Sequence, residues 1–155
     1  MVPPNPRFGF FTPSLLQRLV LSLTRVPPLY RGSLRPIWAK IINLLRSGPV
    51  DVCSTYGSFR VYPTTNLVDS AILLHPAYNK EELDFLKKGL PDSGTFVDIG
   101  ANIGLYTVAL GNHLTSKGRV VAIEPNPICL ERLNVNIALN NLETVSVFGV
   151  GVGDF

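Results

Sequence analysis

Thr95-Phe96-Val97-Asp98-Ile99-Gly100-Ala101-Asn102-Ile103-Gly104-Leu105-Tyr106 runs from a short apolar segment through an acid and a glycine-rich turn into a helical pattern. The end of a buried strand brings a carboxylate and backbone N–H groups to one spot, and glycine lets a ligand approach the main chain closely. A second apolar run, Val120-Val121-Ala122-Ile123, ends in Glu124, twenty positions after Gly104. An acid at the tip of a neighbouring strand is placed to accept hydrogen bonds from ribose hydroxyls. The two segments together predict half of a nucleoside-cofactor site.

The glycine spacing decides between cofactors. A dinucleotide fold uses G-x-G-x-x-G, its second glycine making room for a pyrophosphate. Here Gly100 and Gly104 are four apart, and Asn102 stands where that middle glycine would be. S-adenosylmethionine has no phosphate, and Asp98 can balance the positive charge of its ammonium and sulfonium. A nicotinamide-dependent oxidoreductase is the weaker alternative. An ordinary strand-to-helix turn would explain a lone glycine pair, but not Asp98, Gly-x-Asn-x-Gly and Glu124 at once.

Val97 to Tyr106 (VDIGANIGLY), Ala122 to Pro127 (AIEPNP) and Leu133 to Leu142 (LNVNIALNNL) resemble the FkbM family of S-adenosylmethionine-dependent methyltransferases, over roughly Asn66 to the end. Asn66-Leu67-Val68 and Leu74-His75-Pro76-Ala77-Tyr78 resemble the segment that leads into that domain. The resemblance implies a class I methyltransferase fold, a Rossmann-like doubly wound parallel sheet, acting on hydroxyl groups of small molecules, lipids or glycans. It implies that Asp98, Gly100, Asn102 and Gly104 line the methionine part, that Glu124 holds the ribose, and that Pro125 and Asn126 border the adenine. In the wider class an acid after the third strand meets the adenine amino group, the position of Asp154. A full domain of this kind has seven strands, so an α/β fold truncated after its third strand is expected, with a helical and hairpin extension before it. A catalytically silent cofactor-binding remnant is therefore the rival reading.

The chain of 155 residues has a formal charge of +3 that is unevenly spread. Residues 1–50 contain Arg7, Arg18, Arg25, Arg31, Arg35, Lys40 and Arg46 and no acid, whereas residues 51–155 carry seven bases and eleven acids. A basic, apolar N-terminus fits helices packed beside the domain, with peripheral membrane contact as the lesser expectation. Its longest apolar run, Leu19–Leu23, falls far below the roughly twenty residues that span a bilayer. The bases are dispersed and no recognition motif accompanies them, so no nucleic-acid partner is expected. Cys53 and Cys129 form no C-x-x-C pair, which gives neither a disulfide framework nor a zinc pattern and fits a reducing cytoplasm.

Three regions are expected: a basic, proline-rich helical region (1–49), a hairpin and helices (50–94), and the cofactor-binding half-domain (95–155). Helices are predicted from Pro13-Ser14 to Leu23, over Ile37–Leu45 and over Asn66–Leu74, with short strands over Val50–Ser54 and Ser58–Tyr62. Asn79 with Glu82 reads as a capping box for the next helix. From Thr95 the strands are Thr95–Ile99, Arg119–Ile123 and Thr144–Val150, alternating with helices, the pattern of a parallel sheet. Tyr106 is expected in the core. His75 and His113 have no legible partner, so no catalytic acid or base is assigned.

Overall fold

A computed structural model describes residues 6–26, 29 and 32–153. The chain divides into two units, Met1–Tyr78 and Asn79–Phe155.

In the first unit, α1 (Leu15–Leu23) starts at a capping box in which Ser14 and Gln17 satisfy each other's backbone N–H groups. Gln17 is fully buried and donates from Nε2 to the carbonyl oxygens of Ile42 (3.0 Å) and Arg46 (3.3 Å). The Ile42 carbonyl, in the last turn of α2 (Arg35–Leu45), also accepts the Arg46 N–H, so Gln17 adds a second donor there and ties α1 to the end of that helix. β1 (Val50–Ser54) pairs antiparallel with β2 (Gly57–Val61) in the register Val50↔Val61 to Ser54↔Gly57, so the second strand begins one residue before the expected Ser58. The period-two pattern predicts Arg60 on a wet face, yet Arg60 is buried. Residues 6–11 cover that face: Arg60 pairs with Asp51 at 2.8 Å, donates to the Pro6 carbonyl at 3.0 Å and lies over the Phe11 ring. Asn66 caps α3 (Leu67–Leu74) through the Asp69 N–H, and the helix stops before His75-Pro76.

In the second unit, α4 (Lys80–Gly89) precedes β3 (Thr95–Ile99), α5 (Leu105–Gly111), β4 (Arg119–Ile123), α6 (Pro127–Leu139) and β5 (Val145–Phe148). The third strand is thus shorter than the expected Thr144–Val150. The strands lie parallel in the order β3-β4-β5, with Asp98 opposite Ala122 and Ile123 opposite Phe148. Right-handed crossovers between consecutive neighbours place both helices on one face. That face carries the core, where Ala101, Ala122 and Leu133 meet Leu130, Ile137, Val145 and Val147.

The expected capping box at α4 does not form. Asn79 adopts a left-handed backbone (φ 57°) and makes no side-chain cap. That conformation turns its amide away from the helix, and Nδ2 donates to the Tyr106 hydroxyl at 2.8 Å. The hydroxyl in turn donates to Glu82 at 2.7 Å. Tyr106 is accordingly half-buried, its polar tip joining α4 to α5, rather than a plain core ring.

Candidate functional site

Five residues, Gly100 to Gly104, join β3 to α5, and three of them have positive φ: Gly100 (78°), Asn102 (52°) and Gly104 (93°). Glycine enters this left-handed region freely, and asparagine more readily than other side-chain-bearing residues. The Gly-x-Asn-x-Gly spelling is therefore a backbone requirement. The two glycines nevertheless do different work. A Cβ on Gly100 would meet nothing within 4 Å, so open space lies beside it, whereas a Cβ on Gly104 would come within 2.7 Å of Leu133 Cδ1. Gly104 lets α6 approach; Gly100 leaves room.

The N–H groups of this turn were expected to face a ligand. The structure uses four of them internally. Gly100 and Ala101 both donate to the Ile123 carbonyl (2.9 and 3.1 Å), Gly104 donates to Ala101, and Asn102 donates to Glu124 Oε2 at 2.7 Å. The turn crosses the tip of β4, so the last carbonyl and the carboxylate of that strand reach these donors first.

Glu124 is 7% exposed and accepts from two backbone groups, Asn102 N–H on Oε2 and Asn126 N–H on Oε1 at 2.9 Å. A carboxylate offers about four acceptor positions, so both oxygens keep capacity for a further donor. Asn126 caps α6, its Oδ1 accepting from Ile128 and Cys129 N–H, while Pro125 beside it is exposed. Asp98 is 8% exposed and accepts a 2.5 Å bond from Thr107 Oγ1 on α5. Burial pushes its pKa up, hydrogen bonding from Thr107 works against that rise, and the nearby Glu124 charge adds to it. Two acids thus sit close together, each held by a different element.

The fold brings Asp98, Gly100, Asn102, Gly104, Glu124, Pro125 and Asn126 to the carboxyl ends of β3 and β4. Asp154 lies outside the described residues. His113 sits past the far end of α5, its ring against the Leu90 carbonyl, and His75 belongs to the other unit. Among the described residues, no group of three or more His, Cys, Asp and Glu could hold a metal ion, and no helix is long and apolar enough to cross a membrane.

Two supporting residues escaped the sequence reading. Thr107 is the hydroxyl that fixes Asp98, signalled by a polar side chain in the otherwise apolar run Val108-Ala109-Leu110. Asn136 is fully buried on α6 and donates from Nδ2 to the Ile103 carbonyl at 2.8 Å, holding the turn from behind. Its signal was an amide three residues after the core residue Leu133.

Residues 60–152, more than half of the chain, match the family model described as the TRM5/TYW2 methyltransferase domain. Methyltransferase sdnD of Sordaria araneosa is 32% identical over 89 residues, covering 50% of this chain and 34% of that protein. AMB antimetabolite synthetase AmbE of Pseudomonas aeruginosa is 37% identical over 65 residues, covering 42% of this chain and 3% of that protein. The chain thus spans about a third or less of the length of these curated relatives. A solved structure of Pyrococcus horikoshii TYW2 in complex with MeSAdo aligns with a TM-score of 0.53 at 16% identity, over 87% of this chain and 64% of that one. This likeness shows the fold, that of a class I methyltransferase.

Proposed function

The chain belongs to the TRM5/TYW2 methyltransferase domain family, and on that premise we propose that it binds S-adenosylmethionine at the carboxyl ends of β3 and β4 and serves methyl transfer to a hydroxyl group. One observation carries the reading: two buried acids, Asp98 and Glu124, flank a left-handed turn that leaves open space at Gly100. That chemistry suits a cationic nucleoside. Glu124 retains acceptor capacity for ribose hydroxyls, and the carboxyl of Asp98 lies at the same edge for the positively charged methionine part. Gly100, Asn102 and Gly104 shape that edge. Pro125 and Asn126 border the adenine, and Asp154 is assigned to its amino group.

The cofactor, when bound, supplies an electrophilic methyl group on sulfur. The protein's share is to orient the acceptor in line with that methyl, exclude water and accept the hydroxyl proton. Asp98 and Glu124 are assigned to binding, not to that proton. A dinucleotide fits less well. The Asn102 N–H, which would face a pyrophosphate, is already held by Glu124.

The acceptor class rests on the finer resemblance to FkbM enzymes: a small molecule, lipid or glycan rather than a nucleic acid. Dispersed bases without a recognition motif support this. Cytoplasmic placement goes with it, on cysteine usage alone.

Isothermal titration tests the cofactor reading. The chain should take up S-adenosylmethionine with one-to-one stoichiometry and leave NAD unbound, and Glu124→Ala should weaken uptake about tenfold or more, the scale of one lost charge-assisted hydrogen bond. Failure of the wild-type chain to bind, or equal binding by the variant, would refute it. Transfer of labelled methyl groups to RNA, but not to hydroxyl-bearing small molecules, lipids or glycans, would overturn the acceptor class.

A further inference from the structure

The helix α1 has its polarity turned inside out. Gln17 and Thr24 are 0% and 1% exposed, whereas Leu15, Leu16, Leu19 and Leu23 are 83%, 58%, 60% and 44% exposed. At about 100° per residue these four leucines fall within a single arc of roughly 100°, opposite Gln17. The helix cannot roll to bury them without cost. Rolling would break both bonds from the buried Gln17 amide to the Ile42 and Arg46 carbonyls. The apolar face is therefore held outward by the polar one.

We propose that this face docks the chain onto an anionic lipid bilayer, the leucines entering the boundary between headgroups and acyl chains. Charge selects the occupant. Residues 1–50 hold seven bases and no acid, and two of those bases, Arg18 and Arg25, lie on α1 and just beyond its end. Anionic headgroups complement such a surface, and arginines beside an apolar helix face anchor it at that depth. A second copy docked through the same helix would set Arg18 and Arg25 against their own counterparts. Phe10 adds a further exposed ring just before the helix. At nine residues, α1 is about 13 Å long, so it lies on the surface rather than across it.

The test is co-sedimentation of the full chain with vesicles of phosphatidylcholine alone and with vesicles containing about 30% phosphatidylserine, at low and high salt. Binding should be about tenfold stronger to the anionic vesicles and weaken with salt. The double substitution Leu15→Gln/Leu19→Gln should abolish it while leaving thermal unfolding unchanged, because both side chains are exposed. A Leu19→Trp chain should show a blue shift of added tryptophan emission with anionic vesicles. Equal binding to both vesicle types, an unaffected double variant, an unmoved emission, or a concentration-dependent dimer that the double variant abolishes would each overturn the proposal.

Discussion

Glu124 keeps a loop and a strand tip together before any ligand arrives, since its two oxygens accept from Asn102 and Asn126 N–H. Removing the carboxylate leaves two backbone donors to find water or other partners. Glu124→Gln is accordingly predicted to be the milder change on stability but still to weaken cofactor binding, because its amide presents hydrogens where an N–H already points. Comparing the two variants by calorimetry checks this order. Asp98 behaves differently. Its folded pKa is raised, mainly by burial, so the folded state holds the proton more tightly than the unfolded chain. The stability it contributes is complete below the ordinary value of 3.8 and is lost as pH rises through the elevated folded value. Asp98→Asn should therefore flatten the pH dependence of unfolding in that window and melt no lower than wild type at pH 7, while binding S-adenosylmethionine more weakly. Thermal scans from acid to neutral pH, with and without cofactor, would read both effects.

At the scale of elements, the β3–α5 turn and the packing of α6 behind it set the site's shape. Gly104→Ala puts a side chain into a left-handed residue, at about 1–2 kcal/mol from the backbone alone, and drives its methyl toward Leu133. Gly100→Ala bears the same backbone strain without a clash. Chemical denaturation should show Gly104→Ala the more destabilised, whereas Gly100→Ala should lose more cofactor affinity than its stability loss explains. Asn136→Ala removes the buried donor to the Ile103 carbonyl and should cost about 1–3 kcal/mol. The strand-turn-helix alternation and the positions of both acids were legible because buried parallel strands and left-handed turns demand particular residue types. What escaped was tertiary pairing. Asn79 matched a capping box locally, but a left-handed backbone sent its amide to Tyr106 across two helices. Arg60 obeyed strand alternation and was still buried, because residues 6–11 and Asp51 enclose it. Thr107 and Asn136 are ordinary helix residues until the turn they brace is in view.

At the scale of the molecule, two units divide the work. The first is held by a buried ion pair, and Asp51→Ala should be costly there, about 3–5 kcal/mol, since the buried Arg60 would lose this carboxylate. The loss should appear in the thermal unfolding of the full chain. The second unit carries the candidate site, all of whose described residues lie between Asp98 and Asn126. Because α1 contributes no residue to that site, substitutions in it should leave cofactor affinity unchanged. In an amide-resolved nuclear magnetic resonance titration with S-adenosylmethionine, saturable shifts should centre on Gly100, Asn102 and Glu124 and should need about tenfold more ligand, or greater, in Glu124→Ala. Saturable shifts centred elsewhere, or none at all, would contradict this placement of the cofactor.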